Sequence, residues 1–368
     1  MNSKIKVLVV DDSAFMRKMI ADLLSADPVI EVIDKARNGL DGVRKVKELS
    51  PDVVTMDVEM PIMNGLEALE LLMKNHPLPV VMLSSITWEG AEATIKALEL
   101  GAVDFIPKPS GSISLDIHKI QEQLIEKVKT AAKARINRCS VKPITHPPER
   151  IEVNSSLEII HKHKQLPHPV KQPINKKIEN IILIGTSTGG PKALQVLLSS
   201  LPTGIPAAFL IVQHMPPGFT KSLAQRLNSL SEIKVVEAED RMMIETGCAY
   251  IAPGDFHMKL EQQKDGGLFI QLDQNEPIAG HRPSVDVLFR SAAAVHHPSK
   301  YAIVMTGMGS DGTKGIAELR KTGCKEAIVE DESTCVVFGM PRAAIQSGNV
   351  DKVLPLPQIG PYIAKLLS

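Results

Sequence analysis

The apolar run Ile181-Ile182-Leu183-Ile184 leads directly into Gly185-Thr186-Ser187-Thr188-Gly189-Gly190-Pro191. The run reads as a buried strand, and Pro191 fits the first turn of a helix. The glycines between them permit the tight turn that joins the two. A strand that feeds a helix this closely belongs to an α/β layer. A serine on such a turn is how a fold presents a nucleophile.

The same alternation organises the rest of the chain. Strands are expected at Ile5–Val10, Val29–Ala36, Val53–Met56, Pro79–Leu83 and Val103–Ile106, with helices over Ala14–Ser25 and Leu66–Lys74. A last helix is expected from Leu115 to Ala134. Five such strands imply a doubly wound parallel sheet over residues 1–126. From Cys139 to Lys177 the texture changes to recurrent proline and histidine with few periodic apolar positions. Residues 127–177 therefore read as a helical extension followed by a tether that cannot bury a core, with one short helix at Leu157–Lys164. A second alternating series fills 178–368. Its strands are expected at Ile181–Ile184, Ala207–Val212, Lys234–Val236, Ala249–Ile251, Leu268–Gln271 and Tyr301–Met305, with helices from Pro191 and Gly218 onward.

In the first domain the strand ends carry chemistry. Asp11 and Asp12 follow Val7–Val10, Asp57 follows Val53–Met56, Ser84 follows Val80–Leu83, and Lys108 follows Phe105-Ile106-Pro107. A parallel sheet gathers all of these at its C-terminal edge, where such folds bind ligands. Three carboxylates there repel one another unless a cation joins them, and Mg²⁺, which keeps waters and takes phosphate oxygens, meets that need. A carboxylate can accept a phosphoryl group, with the lysine as a second positive contact. One aspartate alone would be an ordinary turn former. The combination on four strand ends is not.

These motifs, V-V-D-D-S, M-D-V-E-M-P-I-M-N-G, L-S-S and F-I-P-K-P, resemble the receiver domain of two-component response regulators. The resemblance implies a flavodoxin-like, five-stranded parallel sheet, phosphorylated on Asp57 by a histidine kinase. By position it assigns Mg²⁺ to Asp11, Asp12 and Asp57, with the Glu59 backbone assisting. Ser84 and Lys108 would contact the phosphoryl group, and Phe105 matches an aromatic switch. Asn64 stands where M-P-x-M-D-G motifs carry aspartate.

In the second domain Ser187 needs a base and the base an acid. His214 follows the strand Ala207–Val212, and Asp311 follows Tyr301–Met305, so parallel strands would bring both to the edge that carries Ser187. Gly307 and Gly309 allow close backbone approach around Met308, whose neighbourhood could supply oxyanion donors, and a helix starting at Pro191 adds a positive dipole end. Other readings stand beside this one. The glycine-rich segment could start a helix without catalysis, or cradle a phosphate, although it lacks the Walker lysine. An α/β-hydrolase arrangement would use Ser187, Asp255 and His281 or His296. A non-enzymatic response regulator would use the second domain only to bind a partner.

I-G-T-S-T-G-G, Q-H-M-P-P-G-F-T, Y-I-A-P-G-D-F-H-M, H-R-P-S-V-D-V-L-F and M-T-G-M-G-S-D-G together resemble the chemotaxis protein-glutamate methylesterase (CheB) family. With the receiver ahead of them, the resemblance covers nearly the whole chain outside the tether. It implies nucleophile Ser187, base His214 and acid Asp311. The Met308 backbone would serve the oxyanion, with Thr188, His257 and Arg282 near the site. The implied reaction is hydrolysis of γ-glutamyl methyl esters on the cytoplasmic signalling helices of chemoreceptors, releasing methanol, with deamidation of receptor glutamines alongside. No metal is implied for that step. The receiver would obstruct the hydrolase until a chemotaxis histidine kinase phosphorylates it.

Composition agrees with this class. Forty-two basic side chains balance forty-two acidic ones, so no net field draws the chain to nucleic acid. No helix-turn-helix with a basic recognition helix is apparent. The four cysteines form no C-x-x-C pair, which argues against zinc or a disulfide framework. With no spanning apolar run and no signal-peptide pattern, direct membrane insertion is not expected and a cytoplasmic protein is.

Overall fold

The computed structural model describes residues 4–108, 117–135, 178–264 and 266–368. Short Val- and Ile-rich runs form strands, and amphipathic segments between them form the covering helices. The first half runs β1 (Ile5–Val10), α1 (Ala14–Ser25), β2 (Ile30–Ala36), α2 (Gly39–Leu49) and β3 (Val53–Asp57). It continues with α3 (Gly65–Asn75), β4 (Val80–Ser84), α4 (Trp88–Leu100), β5 (Asp104–Pro107) and α5 (Ile117–Ala131). The five strands are parallel in the order β2-β1-β3-β4-β5. Every residue of β3 and β4 is buried, as expected of strands covered by helices on both faces. Local chemistry agrees with the layer: Asn64 and Glu67 form a reciprocal capping box at the start of α3, and Thr87 caps α4. Asn64 is thus a cap.

The second half begins β6 (Asn180–Thr186), α6 (Gly190–Ser199), β7 (Ala208–Gln213), α7 (Phe219–Leu230), β8 (Lys234–Glu237) and β9 (Cys248–Ile251). Next come β10 (His257–Gln262), β11 (Leu268–Asp273), α8 (Val285–Ala293), β12 (Ser299–Val304) and α9 (Thr313–Lys321). The chain closes with β13 (Glu326–Glu330), α10 (Met340–Gln346), β14 (Lys352–Leu354) and α11 (Leu356–Leu367). Seven strands make a parallel sheet in the order β14-β13-β12-β6-β7-β9-β8. From β6 the chain first adds strands on the β7 side and later on the β12 side. The carboxyl ends of β6, β7 and β12 therefore frame the crevice at the switch in strand order, where open α/β sheets bind ligands.

Three expectations are revised. The run Leu268–Gln271 does form a strand, but it pairs antiparallel with β10 as a separate hairpin rather than joining the large sheet. β10 alternates apolar and polar residues after a Pro-Gly-Asp turn, a half-buried pattern that a search for continuous apolar runs passes over. β13 and β14 are additional strands that extend the large sheet beyond β12, with the three-residue, largely exposed β14 at its edge. The helix expected at Leu157–Lys164 lies outside the described residues. Among the described residues no helix is long and apolar enough to cross a membrane.

The two halves touch through the α4–β5–α5 side of the first. Phe105 and Phe219 stack with centroids 4.6 Å apart and planes tilted 37°, both nearly inaccessible to solvent. Around them Arg226 forks onto Glu99 at 2.6 and 3.0 Å, and Arg135 pairs with Glu332 at 2.8 Å.

Candidate active site

The register of the large sheet builds the site. In the β6–β7 pair Thr186 lies opposite Gln213, so Ser187 and His214 are the next residues on adjacent strand ends. The His214 N–H donates to the Thr186 carbonyl at 3.1 Å, which continues the ladder by one step. Gln213 is buried and its amide staples the two ends together. Its Nε2 donates to the Ser187 and His214 carbonyls at 3.0 Å each, and its Oε1 accepts from the Thr186 hydroxyl at 2.7 Å. The turn beyond requires glycine: Gly189 has φ of 80°, and a Cβ on Gly190 would meet Gln213 Oε1 at 1.9 Å. α6 then starts three residues past Ser187, and the Gly190 N–H donates back to the Ser187 carbonyl at 2.7 Å, which ties the turn to the positive end of the helix.

Asp311 comes from the loop after β12 and is almost fully buried. Its Oδ2 lies 2.8 Å from His214 Nε2 and accepts from the Val285 N–H at 2.7 Å. Its Oδ1 accepts from the Ser284 hydroxyl and the N–H groups of Asp286 and Gly312 at 2.9–3.0 Å. The carboxylate thus caps α8 while it holds the imidazole. Burial alone would raise its pKa, but the His214 contact and the α8 N–H donors outweigh that and hold it down to about 2. With Nε2–H committed to Asp311, the buried Nδ1 of His214 has no partner among the described residues. Ser187, half-buried at the adjoining strand end, makes no hydrogen bond to the imidazole in this structure, and Nδ1 is the nitrogen left to take a hydroxyl proton.

The Thr306-Gly307-Met308 loop closes the other side. The Ser187 N–H donates to the Thr306 carbonyl at 3.0 Å, and a Cβ on Gly307 would meet Ser187 Cβ at 2.8 Å. The Met308 N–H finds no acceptor among the described residues, so it remains available to a substrate oxygen. Thr306 itself is held by Thr188, expected near the site, and by Glu330, which sequence reasoning missed. Its N–H donates to Glu330 Oε2 at 2.8 Å, and its hydroxyl donates to the Thr188 carbonyl at 2.9 Å. Glu330 follows the apolar run Ala327-Ile328-Val329, so the rule that singled out Asp57 would have found it. Burial pushes its carboxyl up to about 6.

His257 and Arg282 bond to none of Ser187, His214 and Asp311. His257 Nε2 contacts the Glu276 carbonyl at 3.2 Å. Arg282 spans Asp255 and the carbonyls of Gln274 and Asn275. That pairing commits Asp255 Oδ1 to a guanidinium, and Gln274 takes its Oδ2, so the alternative acid of an α/β-hydrolase arrangement orients no histidine. His296 is exposed. His281 instead stacks on His214, centroids 3.9 Å apart and planes 8° from parallel.

In the first half, oxygens of Asp11, Asp12 and Asp57 lie within 4.8 Å of one another. Lys108 Nζ reaches Asp57 at 2.7 Å and Asp11 at 3.1 Å. Burial pushes the Asp57 carboxyl up to about 6 despite that lysine. This cluster, with Asp11 and Asp57 buried and Asp12 exposed, fits a divalent cation, which would favour the ionised form of Asp57. Glu59 is exposed and its N–H points to Asp57 Oδ1 at 3.4 Å. Ser84 is buried and donates to the Gly90 carbonyl. On the far side of β5, Asp104 accepts from the Thr188 hydroxyl, and Thr130 of α5 reaches the Met308 sulfur.

A receiver-type acidic cluster joined to a serine–histidine–aspartate rim defines a regulated α/β hydrolase. The CheB methylesterase family model matches residues 182–363, and the response regulator receiver domain model matches 7–118. A protein-glutamate methylesterase/protein-glutamine glutaminase of Halalkalibacterium halodurans is 52% identical over 367 residues, covering 99% of each chain. The Bacillus subtilis protein of the same name is 46% identical over 364 residues, again covering 99% of each. The Thermotoga maritima CheB methylesterase catalytic domain aligns over 52% of this chain and all of its own, at 46% identity and a TM-score of 0.50. The chain belongs to the CheB methylesterase family.

Asp311→Asn places an amide NH₂ against the α8 N–H donors and reverses the tautomer of His214. The expected result is a loss of kcat on the order of 10³–10⁴-fold together with a lower Tm, read by methanol release and thermal unfolding. His281 gives a second expectation. Burial first, then the neighbouring His214, lowers its pKa from 6.5 to about 4. The unfolded chain takes up this proton at the higher pH, so stability should fall as pH drops from 6.5 toward 4. Denaturant titrations across that window should show a smaller fall in His281→Phe.

Proposed function

We propose that this chain is a phosphorylation-activated esterase that hydrolyses glutamate γ-methyl esters on chemoreceptor signalling helices, and that Ser187, His214 and Asp311 carry the reaction. The observation that supports it most is the imidazole of His214, tied at Nε2 to a buried carboxylate with Nδ1 free at the Ser187 rim. Ser187 Oγ attacks the ester carbonyl and passes its proton to Nδ1 of His214. The tetrahedral oxyanion takes the Met308 N–H and the positive end of α6. Collapse expels methoxide, which leaves as methanol with the proton from His214. Water then attacks the acyl-enzyme with His214 as base, which frees the glutamate carboxylate and Ser187. A receptor glutamine follows the same course with ammonia as the leaving group. Asp311 stays ionised throughout and stabilises the imidazolium.

Regulation follows from how the two halves meet. Asp104 holds the hydroxyl of Thr188, the residue after the nucleophile, and Thr130 reaches Met308. The receiver thereby covers the catalytic rim. A histidine kinase would phosphorylate Asp57, with Mg²⁺ held by Asp11, Asp12 and Asp57 neutralising charge on the phosphoryl oxygens. Ser84 and Lys108 would then turn to the phosphoryl group. Phe105, two residues beyond Val103 and packed on Phe219, transmits the change to the contact face. A cytoplasmic location accords with these partners.

The test is methanol release from methylated receptor by the full chain, with and without a small phosphodonor and Mg²⁺. Wild type should turn over faster with the phosphodonor, Asp57→Asn should not respond, and Ser187→Ala should release no methanol. Turnover surviving in Ser187→Ala would end the esterase assignment. Asp104→Ala removes one charge-assisted hydrogen bond from the covering face and should raise the unphosphorylated rate by about two- to tenfold. An unchanged basal rate would show that this contact does not restrain the site.

A further inference from the structure

One segment wraps both members of the histidine–aspartate pair. Ser284, Val285 and Asp286 supply three of the donors that fix Asp311, and His281, three residues earlier, lies flat on the other partner. The segment is tied down at several points. His281 and Ile278 exchange backbone hydrogen bonds at 3.0 and 3.1 Å, and Gly280 between them takes φ of 82°. Arg282 is anchored by Asp255 and two backbone carbonyls. The ring of His281 is therefore delivered to its position by the fold.

We propose that His281 is a positioning residue for ester hydrolysis, its ring holding the plane of the His214 imidazole that Asp311 orients and keeping water from the face of the imidazolium that forms during turnover. The proposal rests on the assignment of His214 as the base. The physics has two parts. Partial rotation of the His214 ring about its Cβ–Cγ bond drives a ring edge into a face 3.9 Å away, so the stack fixes the ring plane, and the Nε2 contact with Asp311 selects between the two orientations a half-turn apart. When His214 takes the serine proton, a neutral aromatic face stabilises the cation, whereas a second cation would repel it. Burial keeps His281 neutral through the range in which the enzyme would work. His281 takes no proton from substrate in this scheme. Its contribution is the shape and polarisability of a flat ring, so a phenyl ring should replace it.

The experiment uses the full chain with phosphodonor and Mg²⁺, and begins with wild type and Ser187→Ala. Turnover in the first and none in the second establishes the esterase reading independently of His281. On that baseline, His281→Ala should lower kcat by about ten- to a hundredfold while KM stays within about twofold. His281→Phe should recover most of the rate, and His281→Asn, polar but without a ring, should stay slow. If His281→Ala does not fold, the comparison of Phe with Asn decides. Imidazole proton spectra give a readout apart from activity: the ring-current shift on His214 should persist in His281→Phe and vanish in His281→Asn. Wild-type kcat in His281→Ala or His281→Asn, or a phenylalanine variant no faster than the asparagine one, overturns the proposal. So does a loss carried by KM alone, which would make His281 a substrate contact.

Discussion

The carboxylate of Asp311 is the interaction on which the catalytic half is organised. Four hydrogen-bond donors besides the imidazole converge on its two oxygens, from Ser284, Val285, Asp286 and Gly312. A buried anion with that many donors has no reason to protonate and little freedom to move. It therefore serves two structures at once. It supplies the negative charge favoured at the N-terminus of α8, and it sets which nitrogen of His214 carries hydrogen. Removing the charge would disturb a helix start and a catalytic tautomer together. In the proposed reaction the fold and the chemistry share one anchor.

Much of this was legible because parallel sheets put consequence at strand ends. Asp11, Asp57, Ser84, Ser187 and His214 each follow an apolar run, and the rule that such residues gather at one edge locates them without knowing the loops. Strand β1 and helix α1 coincide with their expected spans because a continuous Val/Leu run and a Ser13 cap leave little ambiguity. What periodicity does not reveal is contact between residues distant in sequence. The stacking of His281 on His214, the Gln213 staple and the Glu330 support for Thr306 depend on loop paths that no period encodes. Asp104 reads as an ordinary strand opener, yet its two oxygens join Lys127 and Thr188 on opposite sides of a domain contact.

That contact also explains why the second half depends on the first. The covering face mixes an aromatic centre, Phe105 on Phe219, with ion pairs at its edge. Exposed edge pairs of this kind add modestly to affinity while fixing orientation. A contact with a small apolar centre and a charged border can be closed by default and still yield to a change of a few kcal/mol.

In the proposed reaction Nδ1 rather than Nε2 serves the serine, which limits the reach of the base. Nδ1 is bonded to Cγ, so it extends less far from the backbone than Nε2 does. A base with so short an arm can serve only a hydroxyl on the neighbouring strand at the adjoining rung, which the Thr186–Gln213 pairing supplies. Insertions beyond Met215 could lengthen the following loop freely. A one-residue slip between β6 and β7 could not be absorbed, because it would carry the two side chains to opposite faces of the sheet.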